Sequence, residues 1–110
     1  MMKQGAIKLF ENKKVRVEWD ATREQWFFSI VDIVAVLTEQ EDFQVARKYW
    51  NKLSQRLREE GSEVVTNCHR LKLIAEDGKL RETDVATTEA ILRIVQSIPS
   101  PKAEPFKVWL

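Results

Sequence analysis

The residues best suited to bind a ligand lie in one short stretch. Between Phe43 and Arg58 the sequence has five basic residues and no acidic one. Arginine can bond guanine with two hydrogen bonds, Asn and Gln can do so with adenine, and lysine neutralises phosphate. The candidate DNA contacts here are Arg47, Lys48, Asn51, Lys52, Gln55 and Arg58. A solvated helix face is the alternative interpretation of the same charges.

A second basic group flanks the dipeptide Asp77-Gly78, which is a strong tight-turn signal. Two cations precede the turn and two follow it: Arg70, Lys72, Lys79 and Arg81. On opposed strands they could line one edge of a hairpin that lies along a phosphate backbone. Positive charge on an exposed strand also blocks edge-to-edge pairing, so a solvated hairpin is the alternative.

Catalytic chemistry has little support in the sequence. Cys68 and His69 are the sole cysteine and the sole histidine, and they are adjacent. Neighbouring side chains of a strand point to opposite sides, so we expect Cys68 in the core and His69 at the surface. One Cys and one His cannot supply the four ligands of a zinc site, and no glycine-rich phosphate loop occurs. We therefore expect neither an enzyme nor a metal or cofactor.

The composition indicates one globular domain covering residues 1–110, since 44% of the residues are hydrophobic and 32% are charged. The net charge is only +1, so a case for nucleic acid must rest on where the charges lie. No segment approaches the roughly 20 apolar residues of a membrane span, and none resembles a signal peptide. We expect the protein in a reducing cytoplasm.

The first half of the sequence predicts three strands and two helices. Strands are expected at residues 7–10, 15–19 and 25–28, where the second one alternates between a buried and a solvent-facing side. Ser29 and Asp32 match a capping box for a short buried helix at residues 30–37, and a buried strand is the alternative because the run is rich in β-branched residues. A longer helix at residues 42–60 begins at Asp42, ends before Gly61 and carries an apolar stripe of Phe43, Ala46, Tyr49, Trp50, Leu53 and Leu57.

The second half predicts strands at residues 64–66, 71–75 and 80–83, the last two forming a hairpin. Asp84 is the expected cap of a helix at residues 85–97 that is buried through Thr88, Ile91, Leu92, Val95 and Ile98. Pro105 suits the first turn of a helix within residues 102–110. The apolar end of the chain suggests a fragment of a longer protein, and a terminal segment that docks on the core is the alternative.

Together these elements predict an α+β fold of small antiparallel strands and hairpins with three to four helices. A buried helix, a turn and a basic helix follow one another in the order of a helix-turn-helix motif. The hairpin would form a wing beside that pair.

Several segments resemble the N-terminal domain of the BRO family of prophage antirepressors. The aromatic stretch that runs into an aspartate at residues 25–33 looks like the opening of that domain. Further similar stretches lie at residues 47–53, 65–69, 83–86 and 97–106. The sequence departs from the family at residues 37–41, where many members have a glycine-containing turn and this chain has acidic residues.

The resemblance implies a DNA-binding domain of a phage transcriptional regulator acting in the cytoplasm of a bacterial host. Duplex DNA would then be the partner, with the basic helix as the main contact. The alternative is a protein-interaction module that binds a repressor or forms a homo-oligomer, because aromatic and arginine side chains commonly anchor protein interfaces.

Overall fold

The computed structural model describes residues 4–63 and 68–110. The described elements follow in the order β1 Gln4–Phe10, β2 Lys13–Asp20, β3 Gln25–Ser29, α1 Ile30–Leu37, α2 Phe43–Glu59, β4 His69–Ile74, β5 Leu80–Thr87, α3 Thr88–Gln96 and α4 Ala103–Trp109. The predicted α+β fold is confirmed. The strand predicted at residues 64–66 lies outside the described residues.

The five strands form one antiparallel sheet in the order β1-β2-β3-β5-β4. Strand alternation places Val17, Phe28 and Ala86 on the face that packs against the helices, where most buried side chains lie. Phe27 and Val85 point to the opposite face and belong to a smaller apolar cluster. All four helices of the described chain therefore pack on the first of these two faces.

The prediction that one side of β2 faces solvent is wrong at two positions. Glu18 is only 7% exposed, and the Arg16 side chain is partly covered. The Arg16 guanidinium donates two hydrogen bonds to Asp32 of α1, Nε to Oδ2 at 2.8 Å and Nη2 to Oδ1 at 2.9 Å. This ion pair fixes the start of α1 against the sheet.

The capping box predicted at α1 is confirmed in one direction only. Ser29 Oγ accepts a hydrogen bond from the backbone N–H of Asp32 at 3.4 Å, as an N-cap does. The Asp32 carboxylate accepts from the backbone N–H and the guanidinium of Arg16, and not from the Ser29 backbone N–H as a full capping box requires. A guanidinium offers two aligned donors to a carboxylate, which gives a stronger bond than a single backbone N–H.

Both ends of α2 agree with the sequence prediction. The Asp42 carboxylate accepts from the Gln44 N–H at 2.9 Å. At the other end Gly61 has φ +76°, and the Ser62 N–H bonds the Leu57 carbonyl at 2.9 Å, which closes the helix in a Schellman motif.

The start of α3 was predicted wrongly. Asp84 does not cap a helix, because β5 continues through Thr87 and the helix begins at Thr88. Pairing with β3 keeps this segment extended, with Phe27 opposite Thr87. Thr87 is the N-cap and accepts from the Ala90 N–H, and Thr88 is exposed rather than buried.

The predicted last helix is confirmed as α4, which packs against the β1–β2 hairpin. Phe106 is fully buried and meets Phe10 edge to face, with ring centroids 5.2 Å apart. Trp109 Nε1 donates to the Leu9 carbonyl at 2.8 Å. The C-terminal segment thus closes the core beside the first hairpin.

Candidate nucleic-acid interface

Helix α2 lies on the core through one stripe of apolar side chains. Ala46, Trp50, Leu53 and Leu57 are buried. The Trp50 indole N–H also donates to Asp84 Oδ2 at 2.9 Å, which sets the rotation of α2 relative to β5. Tyr49, expected on the buried stripe, is 36% exposed because it lies at the edge of that stripe.

The opposite face of α2 carries the predicted contact residues, all of them exposed: Arg47, Lys48, Asn51, Lys52, Gln55 and Arg58. At about 100° per residue, Arg47, Asn51 and Arg58 lie on one side of this face. The Gln55 amide donates to Glu59 Oε1 at 3.3 Å. The structure therefore groups the α2 candidates on one exposed surface.

The cations of α2 have no carboxylate partner in the part of the chain that the structure describes. No carboxylate oxygen there lies within 4.0 Å of the charged nitrogens of Arg47, Lys48, Lys52, Arg56 or Arg58. Arg56 instead donates a hydrogen bond to the Ser97 carbonyl at 3.4 Å, which leaves its charge uncompensated. The charge of this helix face is thus not neutralised locally.

In the described chain, all five arginines and three of the lysines outside α2 are ion-paired, which sets α2 apart. The paired cations are Lys13, Arg16, Arg23, Arg70, Arg81, Arg93, Lys102 and Lys107. Their pairing explains how a chain of net charge +1 still has one strongly basic helix face.

The four hairpin cations do not share one face. Lys72 lies opposite Glu82, whereas Arg81 lies opposite Leu73 on the other side of the sheet. Arg70 bonds Asp84 at 3.1 Å and also approaches Glu82. Lys72 and Lys79 have no ion pair among residues 4–63 and 68–110.

Arg81 is paired at the hairpin turn. Its guanidinium bonds the Asp77 carboxylate, and together with the Lys79 backbone N–H it holds the pKa of Asp77 below the usual range. The turn of the hairpin therefore keeps a negative charge beside its arginine.

Cys68 and His69 are oriented as predicted. Cys68 packs against the main core. The exposed His69 ring lies against Phe27 on the other sheet face, with ring centroids 5.2 Å apart. Burial raises the pKa of the Cys68 thiol to about 11, and the charge of Asp84 acts in the same direction. The thiol is therefore protonated near neutral pH and is a poor nucleophile.

Residues 4–63 and 68–110 contain neither a metal site nor a membrane span. No group of three or more His, Cys, Asp or Glu side chains there could hold a metal ion. Within the same ranges, no helix has both the length and the apolar character needed to cross a membrane.

A family model described as the BRO family, N-terminal domain, matches residues 14–110. The chain belongs to this family. The match includes α1, α2 and both strands of the hairpin, and it confirms the resemblance seen in the sequence. Searches of curated proteins and of solved structures each found no match.

The contacts of two residues that position α1 and the basic helix α2 in this BRO N-terminal domain are not evident from the sequence. Strand alternation predicts a solvent-facing Arg16, and the local pattern predicts a helix cap at Asp84. Both act across long sequence separations, Arg16 on Asp32 and Asp84 on Trp50. A buried tryptophan needs an acceptor for its N–H, which was the one available signal for Asp84.

Proposed function

We propose that this BRO N-terminal domain binds duplex DNA through the exposed face of α2, as part of a phage antirepressor-type transcriptional regulator. The observation that carries the proposal is the set of α2 cations without carboxylate partners in the described chain. A basic surface of this kind attracts phosphate and releases counterions when it binds. On this proposal the domain is a binding module and not an enzyme.

The dimensions of α2 suit the major groove. The helix has 17 residues and is therefore about 25 Å long. A major groove is about 12 Å wide and admits one α-helix. Arg47 and Arg58 lie about 16 Å apart along the axis, so one can meet base edges while the other reaches a flanking phosphate. Asn51 lies between them, where its amide can pair with adenine.

The neighbouring elements support this docking. The buried helix α1 precedes α2 across a short turn, in the order of a helix-turn-helix pair. In the hairpin, Lys72 and Lys79 keep charges available to phosphate, whereas Arg70 and Arg81 are held by carboxylates. We therefore assign the hairpin a secondary contact at the DNA backbone.

The proposal is tested by removing the three central side chains together. We expect the variant Arg47→Ala/Asn51→Ala/Arg58→Ala to stay folded, because all three are exposed, and to bind a DNA duplex at least about a hundredfold more weakly, at roughly 1–3 kcal/mol per base contact. The slope of log affinity against log salt should flatten by about 0.9 for each phosphate that the variant no longer neutralises. Fluorescence anisotropy over a salt series measures both quantities.

A matched control separates local contact from net charge. Arg93→Ala/Lys107→Ala removes the same positive charge from two exposed ion pairs outside α2. This control should change DNA affinity by less than about threefold, because Arg93 and Lys107 lie on other helices than α2. The fold should persist, because exposed ion pairs contribute little to stability. Equal reductions in the two variants, or wild-type affinity for the triple variant at low salt, would contradict the proposal.

A further inference from the structure

We propose that α2 also carries a self-complementary dimerisation surface, on which it pairs antiparallel with α2 of a second copy of this chain. The surface is the lateral stripe, defined here as Val45, Tyr49 and Lys52 with the acidic residues Glu41 and Asp42 at its N-terminal end. It lies on the same helix as the proposed DNA contacts and shares Lys52 with them, but the pairing does not require DNA binding.

The lateral stripe is exposed and partly apolar. Val45 is 44% exposed and Tyr49 is 36% exposed, although both are large and the other apolar side chains of α2 are largely buried. Steps of four and three residues place Val45, Tyr49 and Lys52 along one line on the helix. That line runs on the opposite flank of the exposed face from Arg47, Asn51 and Arg58, so the stripe is separate from these three central DNA contacts.

Charge changes sign along the lateral stripe. Glu41 and Asp42 precede the apolar pair, and Lys52 follows it. Glu41 has a 90% exposed side chain, and its only ion pair in the described chain is a long one of 3.7 Å to Lys13. An exposed pair of that length is weak, so the Glu41 carboxylate can exchange it for another cation.

An antiparallel pair of these helices matches every part of the stripe. With the two-fold axis at the level of Arg47, Val45 of one copy lies against Tyr49 of the other. Lys52 and Asp42 are each five residues from that level, or about 7.5 Å along the axis. Each Lys52 therefore faces Asp42 and Glu41 of the second copy, and symmetry makes every contact twice.

The same pattern disfavours other occupants. A parallel pair would place acid beside acid and lysine beside lysine. A phosphate backbone along the stripe would meet Glu41 and Asp42, and it gains little from Val45 and Tyr49. The second copy is the partner whose charges complement the stripe along its whole length.

A charge exchange tests the pairing. Lys52→Glu alone should weaken self-association at least about tenfold, and Glu41→Lys alone should do the same, because each creates like-charge contacts at both symmetric sites. The double variant Glu41→Lys/Lys52→Glu should associate more tightly than either single variant, since the exchanged charges again attract, but less tightly than the wild type, because the unchanged Asp42 still repels the new carboxylate at position 52. Asp42 is left unchanged because it caps α2.

Sedimentation velocity over a concentration series, with no nucleic acid present, reads the result independently of DNA binding. Lys48→Glu is the matched control, because it makes the same charge change on α2 outside the stripe. It should leave self-association within about threefold of the wild type. Val45→Asp should abolish the dimer while circular dichroism shows an unchanged fold.

Three outcomes would overturn the proposal. One is a wild-type chain that remains monomeric up to about 1 mM. Another is an equal effect of Lys52→Glu and Lys48→Glu. The third is a double variant that associates no better than its single parents.

Discussion

The ion pair between Arg16 and Asp32 shows how one residue pair organises the domain. Asp32 is 2% exposed and accepts three hydrogen bonds from Arg16, two from the guanidinium and one from the backbone N–H. Arg16 Nη1 also donates to the Ile74 carbonyl at 3.0 Å. One side chain therefore links β2, α1 and the end of the β4–β5 hairpin.

Breaking this pair should cost far more stability than breaking an exposed one. We expect Asp32→Asn to lower the free energy of unfolding by about 3 kcal/mol, because it removes the charge that compensates a partly buried guanidinium. Glu104→Gln, which breaks the exposed pair with Lys107, should cost less than about 0.5 kcal/mol. Urea unfolding curves compare the two. Similar midpoints for both variants would show that Asp32 has no special role.

At the scale of elements, α1 and α2 end in the same way with different residues. Gly61 has φ +76° after α2, and Glu39 has φ +53° after α1. In both cases the next residue donates its N–H back to the helix, Gln40 to Ala35 and Ser62 to Leu57. The acidic turn after α1 thus places Glu39 in a conformation that favours glycine.

Substitutions at these two positions should have opposite signs. Gly61→Ala should lower the free energy of unfolding by about 1 kcal/mol, since a Cβ there meets no atom within 4 Å and only the backbone conformation is penalised. Glu39→Gly should raise it by about 0.5–1 kcal/mol for the converse reason. Thermal unfolding checks both, and a lower stability of Glu39→Gly would reject the conformational argument.

The elements were predictable where local patterns decide them, and the predictions failed where pairing decides. The spacing of Trp50, Leu53 and Leu57 identified α2, and Asp42 and Gly61 marked its ends. The prediction of the β5–α3 boundary was wrong because the sequence after Asp84 suits a helix start, whereas pairing with β3 keeps this segment extended.

The candidate interface was likewise predictable in one part and not in another. The basic face of α2 followed from helical spacing alone. The neutralisation of Arg70 and Arg81 depends on strand register and turn geometry, which place Asp84 and Asp77 beside them. Register is set by tertiary packing and is not visible in a single sequence.

At the scale of the whole molecule, α4 joins the two ends of the described chain. Phe106 lies in an aromatic cluster with Phe10 and Trp109, and Ser100 Oγ donates to the Leu37 carbonyl. Contacts from this segment therefore reach both the first hairpin and α1. The last helix is part of the core of the domain and not an appendage.

The contribution of α4 can be measured with two substitutions on one helix. Phe106→Ala should cost about 3–5 kcal/mol, because it removes a fully buried ring. Val108→Ala should cost less than about 0.5 kcal/mol, because Val108 is 88% exposed. Chemical denaturation distinguishes them, and a small effect of Phe106→Ala would show that the core is complete without α4.

The position of Phe106 also bears on how the protein is made. A ribosome delivers the β1–β2 hairpin before α4, and folding can begin before synthesis is complete. Until Phe106 emerges, Phe10 lacks its ring partner, so a nascent chain presents this side of the sheet uncovered. Stable tertiary structure of the domain should therefore arise only after α4 has been synthesised, and chaperones would meet the β1–β2 hairpin before α4 covers it.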